Sequence, residues 1–169
     1  MKRSLLIVAS LLISTMTSAS AATTPSCAGI KVAASVKGTT LPCLNGVGSV
    51  TFEAIRGPVL VNVWGSWCEP CQQEIPHLVD IADEKKVAII GIDVEERNMS
   101  AGRTFVMKHK MNWPQLYDAK ASTRGIFGLG VPVTWFIDAQ GKVVYKQIGL
   151  FTDNDQIKKL VKKYFKISL

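Results

Sequence analysis

Val59-Leu60-Val61-Asn62-Val63-Trp64 runs straight into Gly65-Ser66-Trp67-Cys68-Glu69-Pro70-Cys71. The first six residues read as a buried strand, because four of them are β-branched or aromatic and only Asn62 is polar. After Cys71, the apolar residues Ile75, Leu78, Val79 and Ile81 or Ala82 recur at helical spacing, so the cysteine pair opens a helix. Two sulfurs separated by two residues in the first turn of a helix can close a disulfide, with one sulfur at the tip and the other beneath it. The unpaired amides of a helix N-terminus carry partial positive charge and stabilise a thiolate. They lower a cysteine pKa from about 8.5 into the range of about 3.5 to 7.5. Cys68 is therefore the expected attacking thiol and Cys71 the resolving one.

The pattern around this unit is that of an α/β domain. Upstream, Gly46, Gly48 and Gly57-Pro58 punctuate a short expected strand at Ser49-Val50-Thr51-Phe52. Downstream, Pro76 sits inside the helix, where it removes one amide and bends it, and Val87 to Val94 is a nearly continuous apolar run suited to a parallel strand buried on both faces. A helix from about Ala101 to Lys110, a short strand at Gln115 to Tyr117 and a short helix from Ser122 to Phe127 follow. Val133-Thr134-Trp135-Phe136-Ile137 and Val143-Val144-Tyr145 then flank the turn Asp138 to Gly141 as a hairpin. The last helix has an inner face of Ile157, Leu160, Val161, Tyr164 and Phe165, and Thr152 with Asp155 has the spacing of a capping box. Strand, helix, strand, helix, hairpin, helix implies a central mixed sheet flanked by helices.

The 169 residues are 47% hydrophobic and 20% charged, enough for one globular domain with a sizeable core. Lys2 and Arg3, the apolar stretch Leu5 to Ile13 and the small run Ala19-Ser20-Ala21 match a secretory signal cleaved after Ala21. The expected organisation is a signal peptide at 1–21, an N-terminal arm at 22–40 and the α/β domain at 41–169. The alternative is retention of the first segment as a membrane anchor, although its apolar core is far shorter than the ~20 residues that span a bilayer. Thr24-Pro25-Ser26 lacks the aliphatic residue that a lipoprotein signal would place before Cys27. The net charge of +7 gathers partly in Lys158, Lys159, Lys162, Lys163 and Lys166, whose spacing is that of the solvated face of the last helix. With no aromatic-interleaved basic patch, nucleic acid is not an expected partner. The chain is expected to be a monomer.

Four cysteines in an exported chain normally make two disulfides. Cys27 and Cys43 flank a polar segment and would close a loop of about seventeen residues, a structural staple that chain entropy values at roughly 3 kcal/mol. A zinc site would need a second close pair of ligands, which these isolated cysteines do not make, so no metal is expected. His77 and His109 stand in no motif and read as ordinary surface or partly buried residues.

The stretch Asn62 to Cys71, with Glu74, Pro76, Gly130-Val131-Pro132, Thr134, Phe136-Ile137-Asp138 and Gly141-Lys142, resembles the thioredoxin fold. More narrowly, it resembles the exported TlpA, ResA and CcmG/DsbE group of thiol-disulfide oxidoreductases, and the likeness extends over roughly Leu41 to Phe165. It implies that Pro132 is a cis-proline facing the cysteine pair and that Trp67, Glu69, Pro70, Val131 and Pro132 line the substrate groove. The backbone of Val131 would pair with an extended polypeptide. Thioredoxins proper carry a buried aspartate where this chain has Asn62, and an amide cannot relay a proton near neutral pH. Glu74, one helical turn past Cys71, is the acid the pattern offers instead, where the bland reading is a solvated helix residue. Acids at Glu69 and Glu74 would destabilise a thiolate, and a less stabilised thiolate makes a stronger reductant.

The expected activity is reduction of disulfides in exported proteins, apocytochrome c among them, with no dissociable cofactor. The resemblance implies electron supply by a membrane thiol transporter of the CcdA or DsbD type. The rival within the same chemistry is an oxidase that introduces disulfides and is served by an oxidising partner. A copper metallochaperone is disfavoured, since that arrangement uses cysteines spaced by three residues and a placed histidine.

Overall fold

The structure, a computed structural model, describes residues 24–128 and 130–169. The expected signal segment 1–21 lies outside the described residues, as do Ala22 and Thr23 at the start of the expected arm.

Five strands form the central sheet: β3 (Val59–Trp64), β4 (Ala88–Val94), β5 (Gln115–Asp118), β6 (Val133–Ile137) and β7 (Val143–Ile148). They lie in the order β5-β4-β3-β6-β7. β3 runs parallel to β4, and β4 to β5, whereas β6 is antiparallel to both β3 and β7, so the sheet is mixed. Ahead of it, β1 (Thr40–Pro42) pairs antiparallel with β2 (Ser49–Thr51), and a 3₁₀ turn follows at Phe52–Ala54. The pairing of Thr40–Pro42 has no signal in the sequence, being a three-residue strand that exists only against its partner.

Strand alternation divides the core between the two faces of the sheet. Leu60, Trp64, Ile89 and Phe136 face α1 (Glu69–Asp83), α2 (Met99–Lys108) and α4 (Asn154–Phe165), meeting Ile75, Leu78, Phe105, Ile157 and Val161. Val61, Val63, Ile90, Ile92, Val133 and Trp135 face the other way, toward the arm and the one-turn helix α3 (Arg124–Phe127). There Phe52, Phe127 and Trp135 pack edge to face, with ring centroids 4.7 to 5.9 Å apart. Asn62 lies on the α1 face between Leu60 and Trp64, a polar residue at the centre of the molecule.

Helix ends depart from the expected positions for local reasons. α2 starts earlier than Ala101 because Asn98 caps it, accepting from the Ala101 amide at 3.0 Å, and Lys110, at φ 55°, lies beyond its end. The cap of α4 is Asp153 rather than Thr152: its carboxylate accepts from the Gln156 amide at 2.8 Å, and the Gln156 side chain accepts back from the Thr152 amide at 3.3 Å. The pair stands one residue along from the expected capping box, and its return bond goes to the amide before the cap. The short helix begins at Arg124 instead of Ser122, since the Asp118 carboxylate takes the amides of Ser122 and Thr123 in a turn. α1 and α4 are joined across their surfaces. The Lys158–Glu84 ion pair spans 2.7 Å, Asn154 donates to Asp80 at 2.8 Å, and Asn154 Oδ1 lies 2.7 Å from His77 Nδ1.

Candidate active site

Cys68 is the N-cap of α1. Its backbone is extended, and its Sγ accepts from the Cys71 amide at 3.1 Å. Glu69 and Pro70 fill the first two helical positions, where a proline costs nothing because those amides have no helical partner. The chain enters the helix through a turn in which the Cys68 amide donates to the Gly65 carbonyl at 3.0 Å, and Gln72 Nε2 reaches back to the Ser66 carbonyl at 2.9 Å. Cys68 and Cys71 form a disulfide with Cα atoms 5.3 Å apart. A thiolate at Cys68 would inherit the Cys71 amide and the positive end of α1.

Trp67 is 55% exposed and folds back beside the turn, its indole Nε1 donating to the Val94 carbonyl at 3.3 Å. A side chain at Gly65 would collide with that ring, so the glycine leaves room for it. The Val131–Pro132 peptide, ahead of β6, is cis, with Pro132 buried and Val131 half-buried. Between Trp67 and Val131 opens a cavity of about 240 Å³ whose apolar wall is Val63, Val94 and Phe127. The ion pair of Arg124 with Glu95, 2.7 Å apart, stands at its rim. Glu69, on the other side of Cys68, is exposed. Of the groove residues read from the sequence, Trp67 and Val131 line this cavity, and Phe127, Glu95 and Arg124 join them with no signal that sequence reasoning used.

Glu74 is fully buried, which rules out the solvated reading of this residue. One carboxylate oxygen accepts from Asn62 Nδ2 at 2.7 Å and the other from the Phe151 amide at 3.0 Å. Asn62 also donates to Thr134 Oγ1 at 3.0 Å, so β3, β6, α1 and the approach to α4 meet at this carboxyl. Burial pushes its pKa from 4.5 up to about 7, against the lowering pull of the Phe151 amide and of Asn62. An acid that exchanges its proton near neutral pH therefore lies one turn from Cys71 on the buried face of the same helix. His109 stacks against Phe105 at 4.2 Å, and burial followed by the nearby Lys108 lowers its pKa.

A second buried acid went unread in the sequence. Asp93 sits in the apolar run of β4, fully buried, and neither carboxylate oxygen has a hydrogen-bond partner among the described residues. Burial, and then the charge of Glu96, raise its pKa from 3.8 to about 8. The available signal was a lone charge inside an otherwise apolar parallel strand.

Cys27 and Cys43 are also bonded, with Cα atoms 6.0 Å apart. They tie the arm to the sheet edge, where Cys43 bridges Leu116 and the Leu44 amide donates to the Gln115 carbonyl at 2.8 Å. Among the described residues no cysteine is free, and no group of three or more His, Cys, Asp or Glu side chains could hold a metal.

Residues 32–146 match the AhpC/TSA family. The thiol-disulfide oxidoreductase ResA of Bacillus thuringiensis is 33% identical over 122 residues, which are 69% of this chain and 67% of that protein. The thiol:disulfide interchange protein DsbE of Pseudomonas fluorescens is 34% identical over 126 residues, covering 73% of this chain and 70% of its own length. Among solved structures, MTB DsbF superposes with a TM-score of 0.65 at 25% identity over 75% of this chain and 94% of that one. With this fold and these relatives, the chain belongs to the AhpC/TSA family and, within it, is a thiol-disulfide oxidoreductase of the ResA and DsbE type.

Proposed function

We propose that this chain is an exported reductase of polypeptide disulfides, with Cys68 as nucleophile and Cys71 as resolving thiol. The observation that carries the reading is the pairing of a helix-capping cysteine with a buried acid titrating near neutrality one turn away. The Cys68 thiolate attacks a substrate disulfide, forming a mixed disulfide and releasing the first substrate sulfur as a thiolate. Cys71 loses its proton and attacks Cys68 Sγ, expelling the second substrate sulfur as a thiolate, so that the substrate leaves reduced while the enzyme keeps the Cys68–Cys71 disulfide. Glu74 is the base that takes the proton of Cys71, the task for which Asn62 is unsuited. The cavity between Trp67 and Val131 receives a substrate side chain while the backbone of Val131 aligns the polypeptide.

Export rests on the segment 1–21, and the ResA and DsbE names of the relatives agree with it. Apocytochrome c is the substrate the family resemblance favours, with a membrane thiol transporter of the CcdA or DsbD type returning electrons to the Cys68–Cys71 disulfide. Trapping tests this. Cys71→Ser leaves Cys68 able to attack but unable to let go, and the mixed disulfides it collects outside the cytoplasm are expected to include apocytochrome c or another exported thiol protein. Recovery of cytosolic partners alone contradicts export. A reduction potential near about −120 mV, at the oxidising end of the fold's range, contradicts the reductase direction, whereas a value near about −270 mV agrees with it.

A further inference from the structure

Asp93 has no task in the exchange described above, yet its position links it to the reactive turn. On β4 it stands in register with Trp64, the last residue of β3 before that turn, and on its other side with Tyr117 of β5. Trp64 shares one apolar cluster with Cys68 and Cys71, so the strand partner of Asp93 packs with the residues of the redox centre. From above, α2 presses on it at Gly102, where any side chain would collide with Asp93 Oδ2. Three residues on, Glu96 is buried, and its Oε2 accepts from the Ser66 amide at 3.2 Å, two residues before Cys68. The Tyr117 hydroxyl donates to the Glu96 carbonyl at 3.2 Å and holds that loop.

We propose that Asp93, acting with Glu96, is a second positioning acid of the redox centre, set against Trp64 as Glu74 is set against Asn62, and that its ionisation disfavours the Cys68 thiolate. The inference rests on Cys68 being the nucleophile. The groups that face Asp93 are few. The loop presents Glu96, β5 presents the Tyr117 phenol, and β3 presents the uncharged Trp64. From α2 comes the backbone of Gly102, while the neighbouring Arg103 is spent on the Leu44 carbonyl at 2.5 Å. With no cation paired to it among the described residues, a proton is what keeps Asp93 compatible with its site, in line with a pKa raised to about 8 by burial and then by Glu96. When that proton leaves, a negative charge appears in the interior beside the turn that carries Cys68. The two titrations are then coupled, and each is spread over a wider pH range.

The test is the pH dependence of Cys68 alkylation in the reduced full chain, compared between wild type, Asp93→Asn and Glu96→Gln. Asp93→Asn is expected to lower the apparent Cys68 pKa by about half a unit, roughly threefold more thiolate at a fixed pH below the midpoint. It should also narrow the titration, leaving only the breadth that Glu74 imposes. Glu96→Gln removes the like charge that holds the proton on Asp93, so the upper step should move to lower pH. A Cys68 titration unchanged in both variants overturns the proposal, whatever happens to stability. Asparagine is isosteric and mimics the protonated form; should Asp93→Asn nevertheless fail to fold, Glu96→Gln decides the matter alone. Insulin reduction by the wild type at pH 7 is measured alongside. Its absence would refute the reductase reading itself, whereas its presence with an unmoved Cys68 titration would refute only the role of Asp93.

Discussion

The two disulfides of this chain are alike in burial and unlike in everything around them. Cys68 and Cys71 are 4% and 0% exposed, Cys27 and Cys43 6% and 1%, so accessibility does not tell a reactive pair from a staple. Their surroundings do. Cys68 caps a 15-residue helix, receives the Cys71 amide and opens beside a groove, with a buried acid one turn beyond its partner. Cys27 and Cys43 lie in the apolar cluster formed by the arm, Val50, Phe52 and the outer face of the sheet, 16 positions apart in sequence. A short-range bridge at a helix start constrains little of the unfolded chain and gives its thiolate somewhere to be stable. A longer bridge in apolar surroundings does the reverse.

Exchanging cysteines for serines should therefore separate the two pairs completely. Cys68→Ser is expected to abolish disulfide reduction and leave the thermal midpoint nearly unchanged. The double change Cys27→Ser with Cys43→Ser is expected to cost roughly 3 kcal/mol of stability, read by denaturant unfolding, with reduction of insulin retained at temperatures where the protein stays folded. Loss of activity in the second variant while folded would dissolve the contrast.

A subtler effect belongs to the acid that only the reactive pair possesses. Glu74 carries a raised pKa of about 7 in the folded state against 4.5 unfolded, so the folded chain binds more protons between those values. Its contribution to stability is present in full below pH 4.5 and declines as pH rises through about 7. Glu74→Gln is expected to flatten this decline, as seen in unfolding curves collected across that window. It should also remove an inflection near pH 7 from the rate at which Cys71 resolves the mixed disulfide, slowing that step on the order of tenfold at neutral pH. An inflection that persists unchanged would assign the proton transfer to another group.

Much of this site was legible along the chain. Val59 to Cys71 announces strand, turn and helix through hydrophobicity and spacing alone, and the resemblance places Pro132 and Glu74 near the sulfurs. What stayed hidden depends on which strands become neighbours. The acceptor role of Glu74 toward the Phe151 amide joins residues 77 apart, and nothing local to either predicts it. Asp93 reads as an incidental acid until β4 is set against Trp64, and Glu96 until its carboxylate is found on the Ser66 amide. Phe127 and Arg124 come to the groove on a single helical turn whose start is fixed by Asp118, a contact between side chain and backbone that periodicity cannot register. Burial reversed the expectation for one residue class in particular. Acids placed by spacing on a helix or in a strand are usually solvated, and here Glu74, Asp93 and Asp118 are enclosed.

The comparison between the bridges is tested most directly by reducing both in one experiment, equilibrating the oxidised chain across a graded series of thiol buffers and resolving the alkylated cysteines by mass. The Cys68–Cys71 pair is expected to open first, at a potential within the range of about −120 to −270 mV spanned by exchange proteins of this fold and toward its reducing end, while Cys27–Cys43 stays closed until the buffer falls below about −300 mV. Opening of Cys27–Cys43 before Cys68–Cys71, or of both together, would contradict the division of the chain into one working disulfide and one structural one.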